Sequence, residues 1–409
     1  MKRLLFLILT GLLTALFLVA MWQDNTRQWT AYQRKFFKTL EPAARKGMSG
    51  GIKQVIVSDL RRVDRCTTCH LAIDKPQLAL GVEPFTAHPG KFLEWHPVEK
   101  FGCTICHDGQ GLATEVAAAH GDVPHWEEPL LRGELVQASC AQCHGDVKPI
   151  ATYTPQLAKG RELFKAKGCY GCHTIKEFGQ TVSQDLTEVG SKSYQLLEAD
   201  FEMMRPPHDR IHWFMSKLRN PRTLNPGVRP EQLPPGEEEV FPSAMPHFGL
   251  SEAEVKALTV YVLSLKASDL PASYVRQAPP EPVPVYASQI EWGNAVFDRL
   301  GCAACHGIGG IGGRRNWNAG LGEEVPSLLY VKAYYGNDVD SLKHLIRNGR
   351  QPVPRMNPGR PNPSLYMPAW KDRMTEQELD ALVAYLFSLS GRLPQPAAGP
   401  ETVSPSATH

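Results

Sequence analysis

The chain has 409 residues, 42% of them hydrophobic and 21% charged, with 44 Lys and Arg set against 42 Asp and Glu. A formal net charge of +2 gives no pull toward nucleic acid or a strongly acidic partner. The length suits two or three ordinary domains, and 34 prolines with 34 glycines predict long irregular stretches.

The chain opens on Met1-Lys2-Arg3 and an uncharged apolar run from Leu4 to Trp22. As a helix such a run spans roughly 28 Å, about one hydrocarbon core. The basic pair predicts a cytoplasmic N-terminus and places everything after the run outside. A cleaved signal peptide is the competing reading. The run is longer than a usual signal core, and Leu18 and Ala20 make a poor cleavage site. Just beyond it, Trp22, Trp29, Tyr32, Phe36 and Phe37 mix with Arg27, Arg34, Lys35 and Lys38. That blend suits a helix leaving the headgroup layer. Residues 1–24 are therefore expected to be a retained transmembrane signal anchor.

All ten cysteines fall in five Cys-x-x-Cys-His motifs: Cys66–His70, Cys103–His107, Cys140–His144, Cys169–His173 and Cys302–His306. This spacing attaches c-type haem: two thiols add to the vinyl groups and the adjacent histidine binds the iron. A thioredoxin-type dithiol would sit in a βαβ pattern, and none is evident. A zinc site gives no reason for a histidine after every second cysteine. Five covalently bound haem c groups are expected. Their covalent sites are Cys66, Cys69, Cys103, Cys106, Cys140, Cys143, Cys169, Cys172, Cys302 and Cys305. Their iron ligands on one side are His70, His107, His144, His173 and His306.

The first three motifs recur at a step of 37 residues, which predicts a three-haem module over residues 25–150 built of loops and short helices. No methionine occurs between residues 49 and 202, so the second ligands there are expected to be histidines. Four are free: His88, His96, His120 and His125. His88 and His125 each lie 22 residues after the first cysteine of their repeat, His96 sits shortly before Cys103, and His120 ends an alanine run. His88, His96 and His120 are the expected set, with His125 the close alternative.

The last two motifs belong to a clearer repeat. Gly160, Phe164 and Cys169 have the spacing of Gly293, Phe297 and Cys302. Each motif is followed by a Met-Pro pair, Met245-Pro246 or Met367-Pro368, and then by a segment with helical periodicity. Both segments open on a capping box, Ser251 with Glu254 and Thr375 with Glu378. Gly160 and Gly293 would let a second helix approach closely, the natural partners being the helices that bear Tyr261 and Tyr385. This arrangement resembles class I cytochrome c domains, over residues 154–268 and 286–391. The resemblance implies Met245 and Met367 as second axial ligands, which raise the potential relative to a second histidine. Met356 is a lesser candidate for the last haem.

Between these domains residues 269–285 read as a proline-rich linker, and 392–409 as a disordered tail. Pro226 to Pro242 reads as a loop insertion, with Glu237–Glu239 as a solvated acidic stretch. His208, His212, His247 and His344 are expected at the surface or in packing. The fold class is thus mainly α with extensive loops: an N-terminal transmembrane helix, a loop-rich multihaem module and two class I cytochrome c domains.

The stretch from Trp29 to His144, with Trp29-Thr-Ala-Tyr-Gln-Arg-Lys-Phe, His96-Pro-Val-Glu-Lys-Phe-Gly and Ala118-Ala-His120, resembles membrane-anchored multihaem cytochromes of respiratory bacteria. That resemblance implies a bacterial cytoplasmic membrane with the haem domains in the periplasm. It implies partners of the cytochrome b or other quinol-oxidising kind, and a downstream cytochrome or oxidase as acceptor. The expected role is electron relay without catalysis. The alternatives are a dihaem-peroxidase-like or other multihaem redox enzyme, and the haem subunit of a terminal oxidase. An enzyme needs one iron open to substrate, against which the paired Met-Pro segments speak, and no Cys-x-x-Cys-Lys motif is present.

Overall fold

The computed structural model describes residues 2–124, 126–176, 178–267, 269–276, 284–320 and 322–390. His125 and the tail after residue 390 lie outside them. The protein is mainly α-helical. Among the described residues its strands form only two short antiparallel pairs. The first helix, Lys2–Asn25, buries none of its residues and is long and apolar enough to cross a membrane. The described residues divide into two compact units, one within Met1–Asp146 and Ser268–Gln277, the other within Val147–Ala267 and Ala278–His409.

In the first unit the helix Gln28–Thr39 buries Phe36 and Gln33. Phe36 packs with Leu40, Leu71, Ala72 and Phe85, its ring centre 5.1 Å from that of Phe85. A hairpin pairs Val55–Val57 with Arg62–Asp64, turned through Arg61 in the left-handed conformation. Its apolar side, Val57 with Leu60, packs on Ile105. The cysteine motifs ride on short helical turns, Cys66–Thr68, Thr104–His107 and Gln137–Cys143. Clusters this small bury little apolar surface, as a loop-rich segment stepped by prolines and glycines dictates.

The beginning of the expected linker belongs to this unit. Leu270 and Tyr274 pack against its Val57–Leu60–Ile105 cluster, and the Tyr274 ring stands edge-on to Phe101 at 5.6 Å. Packing of these two partly buried side chains ties this part of the expected linker to the unit. Residues 277–283 of the expected linker lie outside the described residues.

The second unit holds two helical domains of one plan. In the first, the lead helix Pro155–Ala166 crosses the closing helix Glu252–Ser264. In the second, Gln289–Leu300 crosses Glu376–Leu389. Each crossing is made at a glycine. A Cβ on Gly160 would lie 2.0 Å from the Ala257 carbonyl oxygen, and one on Gly293 would lie 1.9 Å from that of Ala381, so neither position admits a side chain. Phe164 meets Tyr261 at 5.2 Å, and Phe297 meets Tyr385 at 5.5 Å, which repeats the same aromatic contact. Both closing helices carry the full capping box, from Ser251 and Glu254 and from Thr375 and Glu378. The capping glutamates also pair with the ends of the lead helices, Lys167 with Glu254 at 3.1 Å and Arg299 with Glu378 at 2.7 Å.

Candidate haem sites

Three histidine pairs stand in the first unit. The rings of His70 and His120 are 6.4 Å apart centre to centre, those of His88 and His107 6.2 Å, and those of His96 and His144 6.2 Å. Each pair joins one motif histidine to one free histidine. A metal ion held between two imidazoles by bonds of about 2 Å puts the ring centres roughly 6.3 Å apart. All three pairs have that separation.

The ring nitrogens are sorted as ligation requires. Nδ1 of His88 donates to the Pro89 carbonyl at 2.9 Å, Nδ1 of His96 to Phe92 at 3.2 Å, and Nδ1 of His107 to Leu131 at 3.3 Å. A carbonyl can only accept, so in these rings the proton sits on Nδ1 and the Nε2 lone pair is left for a metal. Burial holds His70, His107, His120 and His144 below the ordinary value of 6.5, which favours the neutral, ligating form.

The motif histidines of the second unit follow the same rule. His173 Nδ1 donates to the Gln184 carbonyl at 2.8 Å and His306 Nδ1 to that of Pro326 at 3.1 Å. Both are pushed below 6.5 by burial. Met245 lies half-buried in the loop before the first closing helix. Met367 packs against the core that includes Val296, Phe297 and Leu382, and its carbonyl accepts from the Arg350 amide at 2.8 Å. Met356 is 55% exposed, away from that core.

Most of the sulfurs sit where charge is disfavoured, Cys305 being lowered instead by its hydrogen bond with Cys172. Burial pushes the thiols of Cys69 and Cys140 up to about 11, and those of Cys106, Cys169 and Cys302 up to about 12. Cys103, beside Cys66, is raised further. A thioether carries no charge, so such surroundings suit covalent attachment better than a thiolate cage. Among the described residues no group of three or more His, Cys, Asp or Glu side chains could hold a metal ion by itself. The donor set therefore fits two-point covalent attachment with axial imidazole.

Two supporting residues give no signal in the sequence. Asp64, 1% exposed at the end of the hairpin, accepts from the Cys103 and Thr104 amides and, at 2.7 Å, from the Thr104 hydroxyl. It thereby holds the start of the second motif. Gln33 donates to the Thr68 carbonyl at 3.0 Å and to that of Gly51 at 2.7 Å, tying the helix after the anchor to the first motif. A polar residue whose partner is 35 or 40 positions away leaves no local pattern. The acidic loop also differs from expectation. Glu239 is not solvated alone but pairs with Arg360 at 3.0 Å, because the loop folds back across its own unit.

Glycine-seated helix pairs, a Cys-x-x-Cys-His turn after each lead helix and a backbone-bonded motif histidine define a class: covalent haem domains of electron carriers. The sequence model of the cytochrome c family matches residues 157–266 and 290–390, about half of the chain, and the chain belongs to that family. The chain is also similar to the Cbb3-type cytochrome c oxidase subunit CcoP of Azospirillum sp. (strain B510), 26% identical over 242 residues, which is 58% of this chain and 62% of the relative. It is 33% identical to CcoP of Azospirillum brasilense over 107 residues, 26% of this chain and 30% of the relative. The chain thus spans less than two thirds of the length of these curated relatives. No solved structure matches it.

Proposed function

We propose that the protein is a membrane-anchored pentahaem c-type cytochrome that relays electrons on the periplasmic side, from a quinol-oxidising partner to a soluble or membrane-bound acceptor. The observation that carries this reading is the set of three histidine pairs at 6.2 to 6.4 Å, one for each motif of the first unit. Bound haem supplies a one-electron iron couple whose potential depends on its axial ligands. The chain's own part is to attach each group through two cysteines and grip the iron from both faces. His70 with His120, His107 with His88, and His144 with His96 serve the first unit. His173 with Met245 and His306 with Met367 serve the second. Methionine ligation sets the latter two higher in potential, so the tandem domains receive electrons from the three-haem unit. Two protein ligands on every iron leave no place for a substrate, which separates this reading from a peroxidase or reductase.

A second reading is favoured by the relatives' name. Similarity to an oxidase subunit supports membership of a terminal oxidase complex, in which the acceptor is the oxidase itself. Purification of the native membrane complex separates the two. Quinol-dependent reduction of an added soluble cytochrome c supports the relay. Oxygen consumption by the purified complex instead assigns the chain to an oxidase.

A further inference from the structure

The two attachment turns of the second unit meet. Cys172 and Cys305 hold equivalent places in their motifs, 133 residues apart, and their sulfurs stand 3.9 Å from each other. Gly168 and Gly301, which precede the first cysteine of each motif, show the same offset and the same left-handed conformation, at φ +75° and +73°. The contact between them is reciprocal. A Cβ on Gly168 would lie 2.9 Å from the Gly301 carbonyl oxygen, and a Cβ on Gly301 would lie 2.7 Å from that of Gly168. Residues that meet their own equivalents in both directions mark an isologous contact about a local two-fold axis. Gly171 completes the seam, since its Cβ would lie 2.2 Å from the Gly301 oxygen, while Ala304 holds the equivalent place opposite.

We infer that these two turns form one built junction for electron exchange between the tandem cytochrome domains, with Gly168, Gly171 and Gly301 as positioning residues that set its width. This rests on the haem assignment proposed above. The second cysteine of each motif would be a point of covalent attachment, so the contact of Cys172 with Cys305 would bring the attachment points of the two domains together. One electron leaves the reduced centre of one domain and arrives at the oxidised centre of the other. No bond is made or broken and no proton moves. Side chains on the seam would push the turns apart, which is why glycines stand where backbone meets backbone.

The test uses the full-length, haem-loaded protein. Wild type should show magnetic interaction between the two histidine–methionine signals in oxidised EPR spectra, and rapid electron exchange between the domains after flash reduction. Isolated, non-interacting signals would overturn the inference. Gly171→Val acts at a glycine with no positive φ, so it alters the seam and not the backbone allowance. It should abolish the magnetic interaction and slow the exchange while haem content and both midpoint potentials stay as in wild type. Ala304→Val, on the opposite side, should do the same, and it serves where the first variant loads haem poorly. Unchanged exchange in a fully loaded variant also overturns the junction. Fewer than five haems in wild type would instead overturn the haem assignment itself, so the two failures are told apart.

Discussion

His88 faces His107 across 6.2 Å although the two belong to different repeats. The pattern is interleaved: His88 follows the first motif and meets the second, His96 meets the third, and His120 returns from beyond the second motif to meet the first. No repeat pairs its motif histidine with a free histidine of its own.

Replacing His88 with alanine should therefore vacate one face of one iron without detaching its haem. The reduced variant should bind about one equivalent of carbon monoxide, where wild type binds little, and haem content should stay at five per chain. His208→Ala is the control. That ring stacks on Phe201 at 5.7 Å in the other unit, and its loss should leave carbon monoxide binding as it is.

His120 and His125 are told apart in the same way. The ring of His120 stands 6.4 Å from His70. His120→Ala should open a coordination position, and His125→Ala should leave the low-spin absorbance unchanged.

Met367→His should lower one midpoint potential by on the order of 0.1 V, a fraction of the range of about 0.8 V that axial ligands cover. Redox titration reads the shift directly. An unchanged titration would return Met367 to the core packing it also performs.

Asp64→Ala should leave three donors buried without an acceptor at the start of the second motif. Hydrogen bonds to a charged acceptor contribute roughly 1.5–3 kcal/mol each. Loss of the shared acceptor should cost stability on the order of 3 kcal/mol in chemical denaturation, with the absorbance of the second unit unaffected.

Acid should weaken the second unit through its helix caps. The Ser251 backbone and the Lys167 ammonium hold the Glu254 carboxyl below its ordinary 4.5. A carboxylate depressed in the folded state contributes stability above the unfolded value and loses it as pH falls through the folded one. Melting temperature should thus decline as pH drops below about 4.5, and Glu254→Gln should flatten that decline.

Much of this was legible in the sequence. The tandem domains could be read because each of their signals is local: a glycine, a phenylalanine, a motif and a capping box at fixed spacing. The crossings at Gly160 and Gly293 and the contacts of Tyr261 and Tyr385 form as that pattern predicts. The free histidines of the first unit could be enumerated but not matched to their motifs, since partners cross between repeats. Asp64, Gln33 and the Glu239–Arg360 pair gave no sequence signal, because long-range polar pairing leaves no period. The docking of Leu270 and Tyr274 on the first unit was hidden for a different reason: prolines nearby read as a spacer, while two apolar side chains decide the packing.

Haem quantitation joined to low-temperature EPR of the oxidised protein reads whether the protein holds each of five irons from both faces. Five covalent haems per chain and only low-spin signals are expected, three of the bis-histidine and two of the histidine–methionine type. A stoichiometric high-spin signal, or fewer than five haems, would contradict this.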